Sequence, residues 1–210
     1  MAILEDIGAS LLKGRARPLM EQINTALSEG VSASDILNEG MLPSMSKLGE
    51  LFKNNQVFVP EVMRSAQAFN QALATLKPLM LNDAVQTRGT AVIGTVSGDK
   101  HDIGKNLVAI MLQGAGLNVI DLGSEVTAEQ FCDAVVEHDA QIVAMSALLT
   151  TTMPYQGEVI RMLEERGLRS KVKVMVGGAP VTEEFAKSIG ADAYTPDAGS
   201  AASRAIELLG

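Results

Sequence analysis

Two patterns of hydrophobic positions follow each other along the 210 residues of this chain. Up to about residue 77, apolar residues recur every three or four positions, which predicts amphipathic helices. Gly30 and Gly40 are predicted to be a helix stop and a hinge, and Ser34-Asp35 to be a helix start. The longest apolar stripe consists of Val59, Val62, Met63, Ala66, Phe69, Leu73 and Leu76. This part is therefore predicted to be a bundle of about four or five helices.

From residue 89 onward, short apolar runs alternate with amphipathic segments. Runs that are apolar throughout are typical of parallel strands covered by helices on both faces. The predicted strands are Thr90–Val96, Asn118–Leu122, Ile142–Met145, Val172–Val176 and a short strand near Ala193. The predicted helices are Ile103–Gln113, Ala128–Glu137, Met153–Arg166, Glu183–Ser188 and Ala198–Leu209. This alternation predicts an α/β fold with a flavodoxin-like, doubly wound, five-stranded parallel sheet.

The pattern loosens between the two parts, where Pro78 precedes a polar run. We expect residues 1–88 to form a helical domain with its linker and residues 89–210 to form the sheet domain. The linker, residues 78–88, is expected to be flexible. Residues 1–88 hold 8 Lys and Arg against 9 Asp and Glu, and residues 89–210 hold 9 against 16. The acidic second part makes nucleic acid an unfavourable partner, because both would carry negative charge.

Cysteine usage and the distribution of apolar residues limit the class of protein. Cys132 is the only cysteine, which excludes an intrachain disulfide and a thiolate metal cage, and it is interpreted as a buried structural thiol. The amino terminus lacks the pattern of a secretory signal, and no apolar segment reaches the roughly 20 residues that cross a bilayer. A cytoplasmic protein is expected.

The loop after the first predicted strand holds the most informative residues. His101 lies there with Asp99 two positions before it, at the edge of the sheet where ligands bind in this fold class. Asp99 is predicted to reach one ring nitrogen of His101 while the other nitrogen faces a ligand, which is the usual arrangement of a metal-bound histidine. Gly104 would let something bulky approach the backbone. The alternative is that His101 is a hydrogen-bonded side chain without a chemical role.

Two other interpretations of this loop fit less well. A phosphate-binding loop needs four residues between its glycines and a Ser or Thr after the lysine, whereas five residues separate Gly98 from Gly104, and Asn106 follows Lys105. An ordinary zinc site needs several ligands, and the only other histidine, His138, is interpreted as a solvated helix end. A metal with one protein ligand requires a cofactor that supplies the others.

Two further loops follow predicted strands. Ser146-Ala147-Leu148, with Thr150 and Thr152, follows the third strand, and its hydroxyl groups suit a polar ligand edge. The alternative is that Thr152 caps the next helix. Gly177-Gly178 follows the fourth strand and either allows close approach of a flat group or marks a tight turn. All three loops are expected to open on one edge of the sheet.

Together these motifs resemble the cobalamin-binding family, in the pattern Asp-x-His-x-x-Gly, Ser-x-Leu and Gly-Gly. The resemblance implies that His101 is the lower axial ligand of cobalt and that the dimethylbenzimidazole tail enters the sheet between the first and third strands. Ser146 and Thr150 would contact the base of the tail, and Thr152 would extend a relay from His101 and Asp99 towards solvent. The full set of cofactor-binding residues that it implies is Gly98, Asp99, Lys100, Asp102, Ile103, Gly104, Ser146, Leu148, Thr150, Thr152, Gly177, Gly178, Tyr194 and Ala198. Tyr194 to Ala198 would close the pocket.

The amino-terminal part also resembles a known unit. The segments 49–52 and 58–63 are similar to the helical cap of the cobalamin module of methionine synthase. That similarity implies that Phe58, Val59 and Met63 cover the upper, methyl-bearing face of the corrin. A plain bundle core would explain the same apolar stripe.

A cap followed by a corrinoid domain is similar to the corrinoid proteins of methyltransferase systems. The resemblance implies a methyl carrier: cobalt(I) accepts a methyl group from a substrate:corrinoid methyltransferase, and a second methyltransferase passes it to a thiol or folate. A reductive activating protein would be a further partner. The alternatives are a corrinoid-dependent sensor or regulator, a mutase-type cobalamin-binding subunit, and a flavodoxin-type protein without metal. A DNA-binding regulator should carry a basic recognition helix, which is not evident in the near-neutral first part.

Overall fold

The structure is a computed structural model that describes residues 2–80 and 87–210. The chain divides into two compact units, Met1–Gln86 and Thr87–Gly210. The middle of the expected linker, residues 81–86, lies outside the described residues, so its predicted flexibility stays a prediction. Among the helices in the described ranges, none is both long enough and apolar enough to cross a membrane.

The first unit is helical, as the hydrophobic spacing predicts. Its helices are α1 (Ala2–Leu12), α2 (Ala16–Ser28), α3 (Ala33–Asp35), α4 (Leu42–Lys53) and α5 (Val59–Leu76), with a π-helical segment at Ile36–Met41 and a 3₁₀ turn at Lys77–Met80. Its core is formed by the apolar faces of these helices, including Ile7, Leu19, Ile23, Leu48, Val62 and Phe69. Burial of these faces stabilises helices that would be marginal alone.

The predicted helix start at Ser34 is wrong, and the predicted hinge at Gly40 stays a prediction. The chain stays helical from α3 through the π segment into α4, so Gly40 lies inside a helical stretch. A Cβ at Gly40 would lie 3.3 Å from Cγ2 of Ile7, so its missing side chain allows α1 to pack closely. The helix begins earlier than predicted, because Ser32 Oγ accepts a hydrogen bond from the backbone N–H of Asp35 at 3.0 Å. Gly30, with a φ of +86°, follows the end of α2 as predicted.

The second unit is a five-stranded parallel sheet in the order β2-β1-β3-β4-β5, which confirms the predicted fold class. The strands are β1 (Thr90–Thr95), β2 (Asn118–Asp121), β3 (Ile142–Ser146), β4 (Lys173–Gly177) and β5 (Ala193–Tyr194). The helices are α6 (Ile103–Gly114), α7 (Ala128–Glu137), α8 (Pro154–Glu165), α9 (Glu183–Ser188) and α10 (Ala198–Leu209), and a 3₁₀ turn spans Arg169–Lys171. The chain order reverses between β1 and β3, and ligands bind at such a point in this fold class.

The two faces of the sheet have separate cores. Val92, Val143 and Val176 pack on one face in a cluster with residues of α7, α8 and α9. Ile93 and Ala144 pack on the other face with residues of α6 and α10, several of which are alanines. Because side chains alternate along a strand, the last residues of β1, β3 and β4 continue the α6/α10 face. This places their side chains at the carboxyl edge of that face.

Candidate functional site

His101 lies on the loop between β1 and α6, and its ring orientation is set by Asp99. His101 Nδ1 lies 2.8 Å from Asp99 Oδ1, which confirms the predicted contact. Since an ionised carboxylate only accepts hydrogen bonds, Nδ1 is the donor in this contact, and Nε2 is the ring nitrogen left for another partner. The His101 side chain is 53% exposed. The arrangement provides an accessible imidazole nitrogen with a defined tautomer.

The Asp99 carboxylate is fully buried and fully hydrogen-bonded. Its Oδ1 accepts from His101 Nδ1 and from the backbone N–H of His101 at 3.1 Å. Its Oδ2 accepts from the backbone N–H groups of Leu148 and Leu149, at 2.7 and 3.3 Å, and from Thr152 Oγ1 at 2.6 Å. Burial alone would raise the pKa of Asp99, but the hydrogen bonds from Thr152, Leu148 and His101 outweigh it and hold the pKa well below its usual range. Asp99 therefore remains ionised and ties the loop after β1 to the loop after β3.

Thr152 serves this network rather than the following helix. Helix α8 begins at Pro154 and is preceded by Met153, while the Thr152 hydroxyl donates to Asp99. The interpretation of Thr152 as a helix cap is therefore wrong. Its side chain is buried, and Oγ1 also lies 3.1 Å from the carbonyl oxygen of Leu149. The hydroxyl proton thus has two acceptors inside the protein, of which Asp99 is the nearer.

A row of small and hydroxylated residues crosses the carboxyl edge of the sheet on the α6/α10 face. Thr95 is paired in register with Ser146, and Ser146 with Gly177. Thr195 continues the row after β5, and a Cβ at Gly177 would lie 3.1 Å from its carbonyl oxygen. We call Thr95, Ser146, Gly177 and Thr195 together the hydroxyl row, although Gly177 itself carries no hydroxyl group. Sequence reasoning placed Thr195 in the segment that closes the pocket but missed Thr95, which is the last residue of β1 and lies within an apolar run.

Gly178 makes the close turn after β4 possible. Its φ is +124°, a conformation that residues with a side chain rarely adopt. A Cβ there would collide with the carbonyl oxygen of Ala147. Gly178 thus brings the loop after β4 against the loop after β3.

The other sequence-predicted residues fall into three environments. At the exposed surface of the edge lie Gly98, Lys100, Asp102, Ile103, Gly104, Leu148 and Thr150. Ala198 is buried at the start of α10. Tyr194 is partly buried and packs on the α7/α8/α9 face, opposite the hydroxyl row, because it alternates with Thr195 along β5. The expectation that Tyr194 helps to close the pocket stays a prediction.

Lys105 is a buried cation that the sequence analysis considered only as a phosphate ligand. It lies in the first turn of α6 and is 2% exposed. Its Nζ donates to Asp121 Oδ1 and Oδ2, at 2.6 and 2.5 Å, and to Asn106 Oδ1 at 2.6 Å. Asp121 is the last residue of β2. The contact joins α6 to β2 beside the His101 loop.

These residues fit a corrinoid cofactor. Within residues 2–80 and 87–210, no group of three or more His, Cys, Asp or Glu side chains could hold a metal ion, so a metal at His101 needs ligands from a cofactor. A Cβ at Gly104 would meet no other described atom within 4 Å, which leaves room beside the loop. Ile103, Leu148 and Leu149 expose apolar side chains there that a large ring would cover. Within the hydroxyl row, Ser146 is partly exposed at this edge, whereas the Thr95 hydroxyl is buried and donates to the carbonyl oxygen of His101.

The helical unit carries exposed apolar side chains at the start of α5. Phe58, Val59 and Met63 are 65%, 38% and 46% exposed, whereas Val62 and Ala66 on the same helix are buried. The interpretation of these three as bundle core is therefore wrong. We call Phe58, Val59 and Met63 the Phe58 surface. Its role as a cover for the corrin stays a prediction.

Comparisons with known proteins show which family the chain belongs to. Residues 89–206 and residues 3–77 each match the family model of a B12 binding domain. The chain is 39% identical to dimethylamine corrinoid protein 1 of Methanosarcina acetivorans, over 99% of this chain and 97% of the relative. It is 42% identical to the trimethylamine corrinoid protein of Methanosarcina barkeri, over 90% and 88% of the two chains.

A solved structure shares both units. A chain in the crystal structure of the methanol:cobalamin methyltransferase complex MtaBC from Methanosarcina barkeri superposes with a TM-score of 0.89 and 30% identity, over 99% of this chain and 80% of that one. Family models, relatives and fold therefore lead to the same assignment. This chain belongs to the family of corrinoid proteins built from B12-binding domains.

Proposed function

We propose that this chain is a methyl carrier that takes a methyl group from one methyltransferase and delivers it to a second. The observation that carries the proposal is His101, an exposed imidazole whose Nδ1 is bound to a buried carboxylate. Corrinoid proteins that are relatives of this chain are named for dimethylamine and trimethylamine. A bound corrinoid supplies a cobalt centre that accepts and releases a methyl group, which no protein side chain in this site does.

In this proposal His101 holds the metal through Nε2, and Asp99 keeps the ring in place. The five hydrogen bonds to Asp99 come from two separate loops, so the ring orientation is set before the cofactor binds. The negative charge of Asp99 also makes the imidazole a better electron-pair donor. Hydrogen bonding keeps the pKa of Asp99 well below its usual range, so Asp99 remains an ionised acceptor for His101 Nδ1.

The hydroxyl row would receive the nucleotide tail of the corrinoid. Ser146 is the residue of the row that the sequence motif singles out, and Thr95 and Thr195 lie on either side of it along the edge. Gly177 and Gly178 leave the backbone free of side chains at this point. Thr150 and Leu148 lie on the exposed rim of the loop after β3 and would contact the cofactor from there.

The Phe58 surface would cover the opposite face of the corrin. Its three exposed apolar side chains suit contact with an apolar or methylated group and would exclude water from it. A carrier that meets two partners must expose this face in turn, so we expect the cover to be mobile.

The partners follow from the same reasoning. We infer that the methyl donor is a methylated amine, presented by a substrate:corrinoid methyltransferase, because relatives over nearly the full chain carry such names. The acceptor methyltransferase, with a thiol or folate substrate, and a reductive activating protein remain part of the proposal on the strength of the resemblance alone.

The test is reconstitution with hydroxocobalamin, followed by desalting and a visible absorption spectrum. We expect the wild-type protein to retain the corrinoid with a spectrum of histidine ligation and His101→Ala to lose that spectrum. His138→Ala is the matched control, because His138 ends helix α7 away from the site. A wild-type protein that retains no corrinoid, or a His101→Ala spectrum identical to wild type, would overturn the proposal.

A further inference from the structure

The ion pair between Lys105 and Asp121 joins a buried ammonium group, 2% exposed, to a carboxylate that is 40% exposed. The Lys105 ammonium group makes three hydrogen bonds, two to the carboxylate of Asp121 and one to Asn106. Asp121 Oδ1 also accepts from the backbone N–H of Gly123 at 2.9 Å. The pair therefore joins the first turn of α6 to the segment that leaves β2, residues 122–126.

Stability alone does not account for this pair. Removing the Lys105 ammonium group from water is costly, and the attraction of a carboxylate that is 40% exposed offsets only part of that cost. An ion pair differs from apolar packing in that it fixes distance and direction, because each hydrogen bond has a narrow geometry. We therefore infer that Lys105 fixes the position of the first turn of α6 relative to β2.

Residues 122–126 are hydrogen-bonded to the backbone that precedes His101. The carbonyl oxygen of Gly123 accepts from the backbone N–H of Thr95 at 2.9 Å, and the Thr95 hydroxyl donates to the carbonyl oxygen of His101 at 3.0 Å. The backbone N–H of Glu125 donates to the carbonyl oxygen of Asp99 at 3.0 Å. Glu125 has a φ of +57°, a strained conformation that must be held by its surroundings.

His101 thus lies between two anchors. On one side, residues 122–126 hold Thr95 and Asp99, and on the other side α6 begins at Ile103, two residues after His101. The Lys105–Asp121 contact is the direct link between the two anchors. If it is lost, α6 keeps its apolar packing on the sheet but loses the hydrogen bonds that fix its first turn against Asp121, so the loop between the two anchors is held less firmly.

We propose that Lys105 and Asp121 are positioning residues for the metal ligand His101, an inference that rests on the proposed corrinoid function. Loss of the pair lowers the fraction of molecules whose His101 is placed for cobalt, and the apparent affinity for the cofactor falls by the same factor. Substitution of partners that orient a metal ligand typically costs about 10- to 100-fold in affinity.

The experiment compares the double variant Lys105→Met/Asp121→Leu with wild type. The control is Arg169→Met/Asp192→Leu, which removes an ion pair of 2.9 Å at the opposite, amino-terminal edge of the same sheet. Three quantities are measured: urea unfolding of the cofactor-free protein, the Kd for hydroxocobalamin by absorbance titration, and the visible spectrum at saturation. The spectrum reports histidine ligation and would not respond to a merely structural role.

We expect the Lys105/Asp121 variant to remain folded, to bind hydroxocobalamin about 10- to 100-fold more weakly and to show a smaller fraction of histidine-ligated spectrum at saturation. The control double variant should keep the wild-type Kd and spectrum. Wild-type affinity and spectrum in the Lys105/Asp121 variant would overturn the proposal, and so would its failure to fold, because the pair would then serve stability. If wild-type protein itself binds no corrinoid, the proposed function fails instead.

Discussion

At the scale of single residues, Asp99 determines more of the site than its neighbours do. It is buried, ionised and surrounded by hydrogen-bond donors from its own loop and from the loop after β3. Asparagine has the same shape, but its amide nitrogen is a donor and would replace one of the two oxygens that now accept hydrogen bonds. Each buried donor that loses its acceptor costs about 1–3 kcal/mol.

We therefore expect Asp99→Asn to lower the free energy of unfolding of the cofactor-free protein by about 1–3 kcal/mol and to weaken histidine ligation of cobalt. Urea unfolding and the spectrum after reconstitution measure the two effects. Asp133→Asn, a substitution on the exposed side of α7, is the control. A stability equal to that of wild type would contradict the importance assigned to this network.

The same carboxylate predicts the pH dependence of stability. Because the pKa of Asp99 is lower in the folded than in the unfolded protein, its contribution is fully present above the unfolded pKa, about 3.9, and is lost as pH falls below it. Cofactor-free wild type should therefore lose stability in acid more steeply than Asp99→Asn. Parallel curves from pH 6 to pH 3, measured by urea unfolding, would refute this.

At the scale of elements, two glycines allow neighbouring segments of the chain to pack closely against each other. The loop after β4 passes so near the loop after β3 that a Cβ at Gly178 would meet the backbone of Ala147. In the helical unit, Gly40 allows α1 to cross a π-helical segment. In both places the missing side chain permits the packing, since backbone atoms have little room to retreat.

Gly178→Ala should destabilise the second unit by about 1–3 kcal/mol, through the backbone strain at positive φ and through the collision with Ala147. Gly190→Ala is the matched control, because Gly190 also has a positive φ but its Cβ would meet no other described atom within 4 Å. Thermal unfolding of both variants checks the prediction. If both variants lose the same stability, the close approach contributes nothing.

At the scale of the whole molecule, the chain combines a near-neutral helical unit with an acidic sheet unit, and each presents exposed apolar side chains. Exposed apolar groups contribute little to folding, so their substitution separates function from stability. The Phe58 surface is the clearest case, because it lies on a helix whose other apolar residues form the core.

We expect Phe58→Ser/Met63→Ser to change the free energy of unfolding by no more than about 0.5 kcal/mol per site. Ligand exchange on the bound corrinoid, followed by absorbance after addition of cyanide, should become faster because the cover is less apolar. Val136→Ser, an equally exposed position on α7, should leave the rate unchanged. An unchanged rate in the double variant would remove the evidence for a cover.

The sequence by itself determined the fold class, the helices Ala128–Glu137 and Ala198–Leu209, and the contact between His101 and Asp99. These depend on local periodicity and on residues two positions apart, which a sequence displays directly. Only the tertiary structure decided which hydrogen-bond partner each side chain has when that partner is distant in the sequence. Thr152 donates a hydrogen bond to Asp99 rather than capping α8, because the fold brings the carboxylate on the loop after β1 within reach of its hydroxyl. Lys105 finds Asp121 sixteen residues later, where only the pairing of β1 with β2 and the packing of α6 bring them together.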